Sequence, residues 1–215
     1  MSGSHQFLPS KLWLINQRCC ANQPLFKDCV DRRRWLYWLY QARRRFGLSV
    51  LNFVVLPSET QLLLLDKGRG EIPCSMQLVA RSMAADYNRF KRRQGPFWEG
   101  RYSASRMDAG VSLPELLVTM DLTPVKRGCV NHPEKWQTSG FYELQNPPPR
   151  ARRIDVNALQ RLLNPVDLNQ LQRQRKGWVQ SALNHRRMKQ SSRAADKSIS
   201  LMDESLPLTG ANTYQ

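Results

Sequence analysis

Between Lys11 and Met107, strand-length apolar runs and helix-period stripes follow one another as β-α-β-β-α-β. The breaks between them fall on Gly, Pro and Asn, and both helical stripes carry their apolar residues at three- and four-residue spacing. These observations predict an α+β chain of the ferredoxin-like, split βαβ type: an antiparallel four-stranded sheet with helices on one face. A third observation is the change of character after Asn146, where Pro147-Pro148-Pro149 opens a stretch rich in arginine. It predicts a basic C-terminal extension behind a stiff spacer.

The first strand, Lys11 to Arg18, is apolar on both faces, as a central strand is. Cys19 to Lys27 reads as a loop. Asp28 to Phe46 is the clearest helix, with Trp35, Leu36, Leu39, Tyr40 and Phe46 on one stripe. Asp28 or Asp31 suits its N-terminal dipole, Arg43 to Arg45 suit its C-terminal end, and Gly47 supplies the stop. Leu48 to Leu56 and Glu59 to Leu65 are strands joined tightly through Pro57-Ser58. The second helix is expected from Ser75 to Arg93, with Met76, Val79, Ala80, Met83, Tyr87 and Phe90 facing inward. Phe97 to Met107 reads as the fourth strand, with Gly100 at a bend or bulge. Ser112 and Glu115 form a capping box for a short helix ending at Leu122, and Trp136 to Phe141 closes the unit.

The organisation is thus a domain over residues 1–146, a basic and partly helical extension over 147–190, and a polar, disordered tail over 191–215. Val156 to Leu171 holds a helix or two. From Arg150 to Lys197, 12 basic residues stand against 3 acidic ones.

The composition narrows the partner. The chain of 215 residues has 33 Lys and Arg against 17 Asp and Glu, a formal net charge of +16. That excludes an acidic solvating protein and favours a polyanion. An apolar share of 41 % is enough for a core, which excludes wholesale disorder. No run approaches the length of a membrane span, and no secretory signal opens the chain, so a cytoplasmic, nucleoid-associated protein without membrane contact is expected. The 5 cysteines show no CxxC spacing and read as free thiols, and the 3 histidines lie far apart.

Four segments in order carry a family resemblance. They are QPLFKDCVDRRRWL (Gln23 to Leu36), NFVVLPSETQLLLL (Asn52 to Leu65), YNRFKRRQGPFWEGRYSAS (Tyr87 to Ser105) and LTPVKRG (Leu122 to Gly128). Together they resemble the loop-into-helix entry, strand-Pro-strand core, basic helix with W-x-G-R-[FY] turn, and N-P-V-[KR]-x-G turn of the REP-associated tyrosine transposases. These are relatives of single-tyrosine HUH transposases, and the resemblance spans roughly residues 11 to 140. It implies DNA transposition and recombination chemistry. Two histidines flanking one hydrophobic residue hold Mg²⁺ or Mn²⁺, the metal polarises a phosphate of single-stranded DNA, and a helix-borne tyrosine attacks it.

At both essential places the sequence departs from that pattern. Where the family has Pro-x-His-hydrophobe-His, this chain has Pro57-Ser58-Glu59-Thr60-Gln61, so the ligand positions hold Glu59 and Gln61. Five residues before Pro124, at the nucleophile position, stands Thr119. An aliphatic alcohol is far less acidic than a phenol and makes a poorer leaving group for religation. No intact catalytic or metal site and no cofactor are therefore expected. Tyr87 and Tyr102 read as packing residues rather than substitute nucleophiles.

DNA binding is what the resemblance leaves standing, to hairpin or single-stranded DNA. The candidate contacts are Arg89, Lys91, Arg92, Arg93, Trp98, Arg101, Lys126, Arg127, Arg152 and Arg153, with Trp98 placed either to stack on a base or to anchor its turn. Arg150, Arg173, Arg175, Lys176, Arg186 and Arg187 extend the basic zone. Two alternatives stand beside this pseudoenzyme. One is an active metal-dependent single-strand DNA transposase or nuclease with a rebuilt site. The other is an RNA-binding regulatory module, although no [KR]-G-[FY]-[GA]-[FY] run marks a stacking platform.

Overall fold

The computed structural model describes residues 12–107 and 111–203. Its strands are β1 (Leu12–Arg18), β2 (Ser49–Val55), β3 (Glu59–Leu65) and β4 (Ser103–Arg106). They form one sheet in the order β2-β3-β1-β4, antiparallel throughout. The helices α1 (Cys29–Phe46) and α2 (Glu71–Phe90) connect them in the split βαβ manner. The ferredoxin-like expectation therefore holds.

The strand pleat sorts the side chains. Leu14, Asn16 and Arg18 of β1 stand opposite Leu63, Gln61 and Glu59 of β3, and Asn16 stands opposite Ser103 of β4. These share one face. Trp13, Ile15 and Gln17 point to the other, which α1 and α2 cover. Trp38 on α1 donates from Nε1 to Asp86 on α2 at 2.8 Å, tying the two helices together. Gly47 closes α1 in the left-handed region, at φ 71°, and its N–H bonds the Arg43 carbonyl.

Helix α2 begins four residues before the expected Ser75. The Glu71 carboxylate accepts from the backbone N–H groups of Lys67 and Arg69, which fixes the entry turn in place of a Ser cap. At its other end the helix stops at Phe90 rather than Arg93, because Arg92 turns left-handed at φ 49°. The fourth strand is also shorter than expected. Glu99 N–H bonds Arg18 O and Cys19 bridges Trp98, so the chain runs beside β1 at both ends. Between them Gly100, Arg101 and Tyr102 loop away opposite Gln17, a long bulge around a glycine.

After β4 come α3 (Leu113–Asp121), α4 (Thr123–Lys126), α5 (Gly140–Gln145), α6 (Val156–Leu163) and α7 (Leu168–Asp203). Ser112 stands at the N-cap of α3 but makes no side-chain cap bond, so the expected capping box is not formed. These helices add a second layer over the Asn52 side of β2, and every residue of β2 is buried. Gly140 makes this approach possible: a Cβ there would lie 2.2 Å from Asn52 Oδ1. The free edge of β2 is covered as well. Val54 bridges Ser139, Val50 bridges Ile154, and Trp136 Nε1 donates to Val55 O.

The boundary expected at residue 146 does not separate two cores. Ile154, Ala158, Leu159 and Leu171 are buried in the same cluster as Leu62 and Phe53. Arg175, expected among phosphate-contacting arginines, is fully buried on α7 and is corrected to a structural role. Its Nε and Nη2 both donate to Asp121 at 2.8 Å, and Asn52 donates to the same carboxylate at 2.9 Å. The α7 backbone runs helical to Asp203, beyond the point where a disordered tail was expected. Residues 1–11 and 204–215 and the Arg187 side chain lie outside the described residues.

Replacing Arg175 with Met leaves a buried carboxylate without its cation, and should cost about 3–5 kcal/mol of stability in urea unfolding. The double change Asp121→Leu with Arg175→Met should recover part of that loss.

Candidate nucleic-acid interface

The second helical layer stops short of β1 and the β4 edge. There the sheet face that carries Asn16 lies open as a cleft of about 580 Å³. Asn16, Arg18, Glu59, Gln61, Ser103, Glu99, Gly100, Arg101 and Arg127 line it. Glu59 and Gln61 alternate with Thr60 on β3 and so share this face, as their spacing predicts.

Glu59 is nearly buried, yet its charge is compensated. Arg127 Nη2 donates to its Oε1 at 2.7 Å, and Arg18 Nε lies 3.9 Å from Oε2. Arg127 follows α4, so the turn after Pro124 delivers a guanidinium to the position where the resemblance places a metal. This donor set does not fit a divalent ion: it offers one carboxylate already held by a guanidinium and one amide. Among the described residues no group of three or more His, Cys, Asp or Glu stands together. His132 accepts from the Glu134 N–H, and His185 lines a different groove.

Thr119 is exposed on α3. It lines that second groove, between α3 and α7, with Val118, Trp178, Ser181 and His185. It is not among the residues of the cleft that holds Glu59 and Gln61, so the fold does not bring the two family positions into one cavity. Tyr87 is buried against Phe97, with ring centroids 4.8 Å apart, and burial pushes its phenol above the usual range. It packs, as expected. The Cys19 thiol is pushed up to about 12 by burial and is no nucleophile.

Most of the basic helix end expected to contact DNA is occupied within the protein. Lys91 Nζ lies 2.9 Å from Asp28 Oδ2 and 3.2 Å from the buried Asp31, and these carboxylates raise its pKa. Arg93 Nη1 donates to Asn88 and to the Pro96 carbonyl, holding the turn after α2. Arg89 pairs with Asp86 at 3.2 Å but stays largely exposed. Trp98 anchors its turn: Nε1 donates to Ala80 O at 2.9 Å, and its ring sits edge-on to Phe97. Arg153 is committed to Glu143 at 3.1 Å, whereas Arg152 is exposed. Arg92, Arg101 and Lys126 are exposed. Arg18, Asn16 and Ser103 escaped the sequence reading. The signal available was their register: β1 residues opposite Glu59 and Gln61 must share their face.

No protein-family model matches the chain, and no curated protein matches it in sequence. Solved structures do match in fold. A REP-associated tyrosine transposase bound to a REP hairpin is similar with a TM-score of 0.53 at 14 % identity, covering 68 % of this chain and 87 % of that one. A suspected transposase from Deinococcus radiodurans aligns at 17 % identity and a TM-score of 0.40, over 61 % of this chain and 98 % of its own. The chain thus has the fold of the first of these. Among the described residues, no helix is long and apolar enough to cross a membrane.

Lys91→Met should lower stability by about 1–3 kcal/mol, measured by chemical unfolding, because the buried Asp31 would keep only the more distant Arg34 at 3.6 Å.

Proposed function

We propose that the chain is a relative of the REP-associated tyrosine transposases that binds hairpin or single-stranded DNA and has lost strand cleavage. The observation that carries this reading is the open cleft on the sheet, where Arg127 and Arg18 surround Glu59. Three arginines face two glutamates there, in a protein with a formal charge of +16. Guanidinium groups suit phosphate oxygens, which they contact in planar, paired geometry. The loss of cleavage is supported by Thr119 standing apart from that cleft and by a donor set that suits no divalent ion. The fold shared with a hairpin-bound transposase supports DNA as the partner. We place the protein in the cytoplasm with the nucleoid, as its charge suggests, and assign it no cofactor.

Labelled hairpin DNA incubated with the protein and Mn²⁺ should give no covalent adduct on a denaturing gel. An adduct, lost on Glu59→Ala, would establish the rebuilt metal-dependent enzyme instead. Binding through about six phosphates of a single strand should give a log–log salt slope near −4, and a flat slope would refute the binding claim. Matched RNA competing far better than DNA would point to the regulatory RNA module.

Arg101→Ala and Arg127→Ala should each weaken binding across all sequences and flatten the salt slope by about 0.7, read by fluorescence anisotropy over a salt series.

A further inference from the structure

Two cavities meet at one turn. The polar cleft opens on the Asn16 face of the sheet. A second cavity of about 640 Å³ opens on the opposite face, between α2 and the sheet edge. Gln17, Met76, Ala80, Trp98, Tyr102 and Cys74 line it. Gly100 and Arg101 belong to both. Asn16 and Gln17 are neighbours in β1, so the pleat sends one side chain into each cavity. The bulge at Gly100 to Tyr102 is the wall between them. It leaves Gln17 paired with Thr60 of β3 but without a partner on the β4 side, and a Cβ on Gly100 would meet nothing within 4 Å.

Gln17 is the buried polar residue of the second cavity. It is 4 % exposed, and its Oε1 has no hydrogen-bond partner among the described residues. A buried amide oxygen without a donor is costly, and turning that amide toward a ligand N–H in the cavity would recover the cost. Gln77 and Arg101 are exposed at its rim, and Met76, Ala80, Trp98 and Tyr102 supply its apolar and aromatic walls. Trp98 is held in one orientation by its bond to the Ala80 carbonyl, so this wall is rigid before anything binds.

We infer that the second cavity takes one unpaired nucleobase, whose backbone phosphate lies on Arg101 and the arginines of the neighbouring cleft. A base offers what the lining lacks: a flat π surface for Trp98 and Tyr102, and an edge with N–H donors for Gln17. In a duplex that edge is already paired, so the occupant comes from a single-stranded segment or is turned out of the stack. The inference rests on the DNA-binding reading above and deepens it, because it makes the sheet edge a reader of unpaired nucleotides rather than of duplex.

Single-stranded oligonucleotides with one abasic site, moved position by position, test this on the wild-type protein. One position should lose about tenfold in affinity with the salt slope unchanged, since removing a base releases no counterion. Gln17→Met should abolish the difference between that abasic oligonucleotide and the intact one. The exposed Cys74 gives a readout that needs no variant: intact DNA should slow its alkylation, followed by peptide mass spectrometry, and the critical abasic oligonucleotide should not. Intact DNA that binds while every abasic oligonucleotide binds equally well, with Cys74 unprotected, overturns the base pocket alone. Failure of the wild-type protein to bind any oligonucleotide overturns the DNA-binding reading and the pocket with it.

Discussion

The placement of the second helical layer depends on one buried ion pair. Asp121 closes α3 and Arg175 lies in the first half of α7, 54 residues apart in sequence. Their two 2.8 Å bonds, with the third from Asn52 on β2, fix α3, α7 and the sheet to one another. A buried pair of this kind contributes specificity of position more than net stability, since desolvation cancels much of the attraction. Position is what matters here. The layer is pinned over β2, and Gly140 lets α5 approach the same strand. The β1 and β4 side of that face is left uncovered. The open cleft is therefore a consequence of where the buried pair sits.

That uncovered half decides the electrostatics. On the sheet interior a lone Glu59 would be costly, but at the border of the layer it finds Arg127 from the turn after α4 and Arg18 from its strand neighbour. The formal charge of +16 does not spread evenly over the surface. Part is consumed inside: Arg175 by Asp121, Arg153 by Glu143, Lys91 by Asp28 and Asp31. What faces solvent near the cleft is a smaller set: Arg18 at the end of β1, Arg101 in the bulge, Lys126 at the end of α4 and Arg127 just after it.

Much of this was legible in the sequence. Periodicity places β1, α1, β2 and β3 within a residue or two, because each has an apolar pattern long enough to have a period. The alternation Glu59-Thr60-Gln61 puts two polar residues on one face without any structure. Other features have no local signal. Arg175 reads as one arginine among many, since nothing nearby in sequence reveals that Asp121 waits across the fold. The long bulge at Gly100 to Tyr102 looks like continuous strand, because glycine permits an excursion without dictating its length. Helix α2 starts at Glu71 through a carboxylate bonded to the loop before it, a contact that sequence pattern does not encode. Trp98 was open between stacking and anchoring, and only its bond to Ala80 shows the anchor.

If the cleft holds a phosphate, as proposed above, a guanidinium held by Glu59 acts on it differently from a metal ion. A divalent ion withdraws electron density from a phosphoryl oxygen and can be shared between attacking and leaving groups. A guanidinium neutralises and orients, and it binds ground state and transition state alike unless a nucleophile stands in line. Thr119, which the sequence resemblance sets at the nucleophile position, lines the groove between α3 and α7 instead. Arginines held by Glu59 would therefore contribute affinity without a matching gain in rate. On the function proposed above, such an arrangement would hold a strand rather than cut it, because of which residues share the cleft and which lie outside it.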